Sequence, residues 1–436
     1  MNPFCNPFTE VGEYAPEHFG RISELELCRE LFESTGQFAS GRRIVYFTGL
    51  HGLGKTSILE KAETLAYSKG FMTSAIKARE GLTLPELFYP EMLKAARAML
   101  GHPAANALAL EAIECISDFG TGHHVEAAGF EAELSAVPTE EDEDDDFDMS
   151  GGLAPNLNEV IDIIGAAAHE ADARWVVFID DAEHLSLEEC GSLLAAAQLI
   201  DLKHLPIAFV LAGLPQGEKC FREYVELCDA YFHSFYVEPL IYSDSRKFVD
   251  RALAEEGVRI DEDALDELAT RCRGIPFILK VRAACAWDAA QGSRITKSDL
   301  HASAGETLRR LDVDFFRPLF NRLTHQEAQV CLLMAAMSGN GPCLTANIAK
   351  TLNRPISALA PVRAKLLAKG IIYPESRGYC SFTMPYFGNF LRRRVIPEMR
   401  SERVGLLSKI YRFDEYGDDI EDADIPGGCG SAAGCD

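Results

Sequence analysis

The sequence has no apolar run near the roughly 20 residues needed to cross a bilayer. The longest runs, Trp175 to Ile179 and Ile207 to Leu214, stop far short, so no membrane partner is expected. Met1 to Glu10 carry neither a basic start nor an apolar stretch, which leaves no expected secretory signal and a cytoplasmic reading. No internal repeat is visible. The thirteen cysteines form no spaced framework, so they read as mostly buried thiols of a reducing compartment. Cys429 and Cys435 could pair or share a metal, but two thiolates make only half a zinc site. Cations are scarce as well: 42 Lys and Arg face 67 Asp and Glu, a net charge of -25 that on average favours solubility and repels nucleic acid.

What remains is an ordinary globular mixture, 47% hydrophobic and 25% charged, in 436 residues. At about 150 residues per domain it should hold two or three domains. The charge is unevenly placed. Every residue from Glu140 to Asp148 except Phe147 is acidic, and Asp414 to Asp436 hold eight more acidic residues with no Lys or Arg. Such runs repel themselves and bury nothing, so a solvated loop and tail are expected. Between Phe320 and Arg394, in contrast, Arg322, Lys350, Arg354, Arg363, Lys365, Lys369, Arg377, Arg392, Arg393 and Arg394 face only Glu327 and Glu375, a local charge of +8. The tail could act as a decoy that covers this basic region.

In the first half, short β-branched or aromatic runs alternate with helical patterns. Ile44 to Thr48, Phe71 to Ala78, Trp175 to Ile179, Ile207 to Leu211 and His233 to Val237 read as strands. Runs without alternation point to strands buried on both faces, as in a parallel sheet wrapped by helices. Ser243 to Leu311 read as helical only, with Asp261 and Ser298 as helix caps.

Directly after the first strand stands Gly49-Leu50-His51-Gly52-Leu53-Gly54-Lys55-Thr56, followed by Ser57 and a helical stretch to about Lys69. This is GxxxxGK[ST] in its strand-loop-helix context. The glycines let consecutive N–H groups and the helix start face a phosphate chain, Lys55 would meet the β- and γ-phosphates, and Thr56 would hold Mg2+. Trp175-Val176-Val177-Phe178-Ile179 ends in Asp180-Asp181. Asp180 is the expected Mg2+ carboxylate and Asp181 the group that orients or deprotonates a water. Ser186 with Glu189 matches a capping box.

Further segments carry a family resemblance. Phe19-Gly20-Arg21-Ile22-Ser23-Glu24-Leu25 resembles the "GRxxEL" segment that cradles adenine in AAA+ and STAND-type switch ATPases. Ala212-Gly213-Leu214-Pro215-Gln216 and Gly274-Ile275-Pro276 look like later motifs of the same group. Over roughly residues 3 to 395 the sequence resembles bacterial AAA+/STAND ATPases related to the origin-recognition-like replication initiators. The resemblance implies that Gly20 and Arg21 lie at the base and that Pro276 contacts base or ribose and reports nucleotide state. Two departures stand out: Asp181 occupies the place of a Glu, and Ala212 and Gly213 that of a polar sensor. ATP binding with slow hydrolysis is therefore expected. For an arginine acting on a neighbouring subunit, Arg222 and Lys219 lie in a plausible region, but nothing in the spacing selects them.

Thr324-His325-Gln326-Glu327 matches a capping box that opens a helix to about Met337. A short helix over Thr345 to Leu352 and a longer one over about Ser357 to Lys369 follow, the latter tolerating Pro361 only in its first turn. Ile371 to Tyr373 and Tyr379 to Thr383 then flank a turn. Three helices and a hairpin predict a winged helix-turn-helix, which the family also implies. Arg363 and Lys365 would stand on its recognition helix and Arg377 at the wing tip, facing double-stranded DNA.

The expected class is thus α/β: an adenine-cradling segment (1–40), a P-loop NTPase core with a parallel sheet (41–240, with an acidic loop at about 138–152), an all-α lid (241–312), a winged helix (313–400) and an acidic tail (401–436). Two functions stay open. One is an ATP- and Mg2+-dependent switch in which ATP or ADP governs DNA binding. The other is a signalling or assembly ATPase whose winged helix docks a protein effector or a second copy.

Overall fold

The computed structural model describes residues 6–8, 20–36, 41–123 and 152–401. Phe19, the acidic run from Glu140 to Asp148, the acidic tail, Cys429 and Cys435 lie outside the described residues. The chain divides into two compact units: Arg21–Gly49 with Lys55–Val237, and Met1–Gly20 with Leu50–Gly54 and Glu238–Asp436.

The first unit is built on five parallel strands, β1 (Ile44–Thr48), β2 (Met72–Lys77), β3 (Trp175–Asp180), β4 (Ile207–Gly213) and β5 (Phe232–Tyr236), in the order β2-β3-β4-β1-β5. All residues of β1 and β4 are buried, and β3 is buried up to Asp180. Their uninterrupted apolar runs thus serve a sheet covered on both faces, as expected. The edge strand β2 alternates, with Ser74 and Ile76 buried and Ala75 and Lys77 exposed. Within this core the Trp175 indole donates to Ser74 Oγ at 3.1 Å. Two flanking helices, Leu84–Met99 and Leu187–Lys203, open with complete capping boxes, Thr83/Glu86 and Ser186/Glu189. Arg43 is fully buried, paired to Asp201 at 3.1 Å and donating to Ser34 O at 3.1 Å. A buried ion needs both.

In the second unit, helices Tyr242–Glu255, Glu262–Arg271, Pro276–Ala289, Lys297–Ala302 and Ala304–Arg310 form the first part. The expectation of helix alone is corrected by two short strands, β6 (Arg259–Ile260) and β7 (Arg294–Ile295), paired in parallel. At two residues each they leave no periodicity to read. Ser298 is not a cap. Thr296 is, closing a box with Asp299, because the hydroxyl must stand three residues before the acid. Asp261 does hold the N-cap position of its helix, but its carboxylate pairs with Arg294 instead of the helix N–H groups.

The region from residue 325 onward runs helix (His325–Ser338), β8 (Cys343–Leu344), helix (Thr345–Leu352), helix (Ile356–Ala368), β9 (Ile372–Ser376) and β10 (Tyr379–Phe382). The strands pair antiparallel in the order β8-β10-β9. The Thr324/Glu327 capping box is formed. Pro361 lies in the second turn, not the first, because its helix already starts at Ile356. Pro361 is exposed, and burial of Leu359, Val362 and Leu366 offsets the missing N–H. This region packs on the preceding helices. The Tyr386 hydroxyl donates to Arg271 O at 3.0 Å and accepts from buried Arg282 at 3.3 Å. A ring series runs from Phe277 to Phe315 (4.7 Å), Phe316 (5.6 Å) and Phe387 (5.7 Å).

Candidate functional site

The polar residues stand at or just beyond the carboxyl ends of β1 and β3, where a doubly wound sheet presents ligands. After Thr48 the chain turns through Gly49, whose N–H donates to Gly213 O at 3.3 Å, and enters the helix Lys55–Ser68. Gly52 (φ +77°) and Gly54 (φ +87°) adopt the left-handed conformation that the curl requires. Of the other loop residues, Leu53 is buried, Leu50 and His51 are half-buried, and Ser57 is exposed on the first helical turn.

Lys55 Nζ donates to Gly49 O at 2.9 Å, so the lysine lies back across its own loop. Burial pushes its ammonium below the usual lysine value, while Glu183, then Asp180 and Asp181, pull it back up. Thr56 Oγ1 donates to Asp180 Oδ2 at 2.8 Å. Burial raises the Asp180 carboxyl. This hydroxyl and carboxylate fit Mg2+, a hard cation that takes one or two protein oxygens and completes its shell with phosphate and water. Among the described residues no set of three metal-binding side chains converges, as such a shared site requires none.

Asp181 sits at φ +52° and pairs with Lys77 at the end of β2, 3.2 Å away. Its carboxylate is thus turned toward β2. Glu183, which motif reading passed over, reaches the end of β4, where Oε2 accepts the Leu214 N–H at 3.0 Å. Burial foremost raises its carboxyl above the usual value. The signal was the spacing: an acid three residues after Asp180, beside a strand whose end lacks a side chain.

In the other unit, the Phe277 N–H donates to Gly52 O at 3.2 Å. A Cβ on Gly52 would lie 3.2 Å from Ile275, 3.3 Å from Phe277 and 3.4 Å from Met384. Pro276 opens its helix at the first position, 3.9 Å from where a Gly54 Cβ would stand. Gly274 (φ +70°) is needed there, since a Cβ would collide with the Leu240 backbone. Gly20 (φ +69°) abuts Asp244, and Arg21 pairs with Glu24 at 3.0 Å.

The basic region is less free than its composition suggests. Arg363 is half-buried, and its Nε donates to Cys380 Sγ at 3.0 Å. Lys365, two positions on, points elsewhere and is exposed, as is Arg377 in the turn between β9 and β10. Lys369 pairs with buried Glu327 at 2.7 Å. Arg392 donates to Ala335 O and Ala336 O, while Arg393 and Arg394 share buried Asp312. Arg322, Lys350, Arg354, Lys365 and Arg377 have no ion pair among the described residues.

No curated protein matches this sequence. A model described as "Domain of unknown function (DUF8462)" matches residues 313–391, the end of the chain that carries the three helices and antiparallel strands. Two solved structures match across nearly their whole length. The Walker-type ATPase PABY2304 of Pyrococcus abyssi is 15% identical, with 88% of this chain and 99% of that one covered and a TM-score of 0.55. The ORC2 protein of Aeropyrum pernix is 13% identical, with 91% and 98% covered and a TM-score of 0.52. Among the described residues no helix is long and apolar enough to cross a membrane. With its strand order and its loop, the chain shares the P-loop fold of these two solved structures.

Proposed function

We propose that this protein binds ATP with Mg2+ at the loop Gly49–Thr56, hydrolyses it slowly and uses the nucleotide state to govern a DNA-binding C-terminal module. The observation that carries the reading is the Thr56–Asp180 contact at 2.8 Å, directly beside Lys55 in the chain. In this role Lys55 leaves Gly49 O for the β- and γ-phosphates, loop N–H groups from Gly52 to Thr56 bind the phosphate oxygens, and Mg2+ neutralises part of their charge. The Aeropyrum pernix ORC2 structure, similar in fold, was solved as ADPNP–ADP complexes. Residues 41–240 serve as the ATPase core, 241–312 as a lid and 313–400 as a winged helix. Pro276 is assigned to base or ribose, and Gly20 and Arg21 to the adenine side.

A route from loop to module is supported by the second unit alone, where Gly52 O accepts the Phe277 N–H and a Cβ on Gly52 would lie 3.4 Å from Met384. On DNA, Lys365 and Arg377 would meet phosphate. The alternative, a module that docks a protein effector or another copy, is favoured by one observation: half of the ten cations already have partners within the second unit. Titrating a fluorescent ATP analogue into the purified chain tests the first step. Saturable binding that weakens when Mg2+ is chelated is expected; absence of binding would overturn the reading.

A further inference from the structure

The end of β4 is where the replication-initiator-like resemblance leads one to expect a polar side chain, and this chain has Gly213 there. The space is filled from elsewhere. A Cβ on Gly213 would lie 2.8 Å from Glu183 Oε2 and 3.1 Å from Glu183 N, and it would collide with the Tyr46 hydroxyl. A Cβ on Gly217, in the first turn of the next helix (Pro215–Arg222), would lie 2.8 Å from Glu183 Cα. Both glycines are therefore what allows Glu183 to stand at the strand end, since any side chain would expel it.

Its position is held from three sides. Asp181, left-handed at φ +52°, turns the chain so that the short helical turn Ala182–His184 heads back toward β4. Glu183 Oε2 is anchored on the Leu214 N–H at 3.0 Å, and buried Tyr46 closes the far wall by donating to Leu214 O at 3.0 Å. An ionised carboxylate offers about four lone-pair sites, so this anchor leaves acceptor capacity beyond the Leu214 N–H. Among the carboxylates acting on Lys55, Glu183 acts most strongly, ahead of Asp180 and Asp181. Asp181 has a shorter side chain, and Lys77 holds it on the β2 side.

We propose that Glu183, and not Asp181, is the carboxylate that orients and deprotonates the attacking water, an assignment that rests on the ATPase reading above. The water oxygen forms a bond to the γ-phosphorus. The bond from that phosphorus to the β,γ-bridging oxygen breaks, and its electron pair stays on ADP. The water proton passes to Glu183 and from there to solvent. In the same place Glu183 supplies the polar contact near the γ-phosphate that Gly213 cannot.

The test measures phosphate release and fluorescent ATP-analogue binding on the full chain, comparing E183Q with D181N. General-base removal costs about 100-fold or more. E183Q should lose about 100-fold in turnover while its KM and analogue affinity stay within about 3-fold, a split that a loosened fold would not produce. D181N should lose less than about 5-fold. Should E183Q not purify folded, E183D keeps the charge but shortens the reach. About a 10-fold loss of release with binding kept then supports the assignment, and unchanged release overturns it. Full turnover in E183Q, or loss in D181N alone, overturns it as well and returns the role to Asp181. A wild-type chain that binds the analogue without releasing phosphate overturns this inference but leaves nucleotide binding standing; one that binds none overturns both.

Discussion

The carboxyl end of the parallel sheet and the basic C-terminal region both gather charge, but they spend it differently. At the sheet, Lys55, Asp180, Asp181 and Glu183 arrive from strand ends and loops, and burial shifts Lys55, Asp180 and Glu183 away from their ordinary ionisation. Groups held out of water in this way are poised for a ligand that brings its own charge. In the C-terminal region, Lys369, Arg392, Arg393 and Arg394 already have carboxylates or carbonyl oxygens as partners, and Arg363 has a thiol. Net charge along a sequence is therefore a poor measure of charge offered to a partner. The few charges near the phosphate loop should matter more than the many near the C-terminus.

The largest expected effect sharpens that contrast. Lys55→Ala removes a charge-assisted contact to phosphate, and ATP-analogue affinity should fall by about 100-fold, read by fluorescence titration. A loss below about 3-fold would mean that the loop does not hold the phosphates.

Next, Asp312→Asn should release Arg393 and Arg394 from a buried acid. Because both arginines are partly exposed, the cost is modest, about 1–2 kcal/mol in thermal unfolding. If DNA is the partner, duplex binding should also become more salt-dependent, by up to about two units of slope. Unchanged stability and slope would show that the two arginines were never restrained.

The smallest expected effect divides two cations that look alike in sequence. Arg377→Ala should reduce the salt slope of duplex binding by about one unit with little change in stability. Arg363→Ala should leave the slope alone and destabilise the module by about 1 kcal/mol, since it loses an internal contact. The reverse pattern would place Arg363 on the surface.

How much of this could be read beforehand varied with the range of the interactions. The five strands follow from short β-branched or aromatic runs, and the capping boxes Ser186/Glu189 and Thr324/Glu327 from spacing, because both signals are local. The loop Gly49–Thr56 was visible for the same reason. The direction of Arg363 was not, since it depends on where Cys380 of β10 comes to lie. Asp312 lies eight residues before the basic stretch that starts at Phe320, so its pairing with Arg393 and Arg394 joins residues distant in sequence and leaves no local signal. Glu183 was hidden most thoroughly. Its place is made by missing side chains at Gly213 and Gly217 and by Tyr46, on a strand distant in sequence.

The most direct measurement is fluorescence anisotropy of a labelled mixed-sequence duplex across a salt series, first with an ATP analogue and then with ADP. Each phosphate contact contributes about 0.9 to the logarithmic slope, so five available cations predict a slope no steeper than about -4.5, with affinity that differs between the two nucleotides. A slope approaching about -9, the value for all ten cations, would contradict the internal pairing. No binding at low salt with either nucleotide would contradict the DNA-directed switch and leave the protein-docking module in its place.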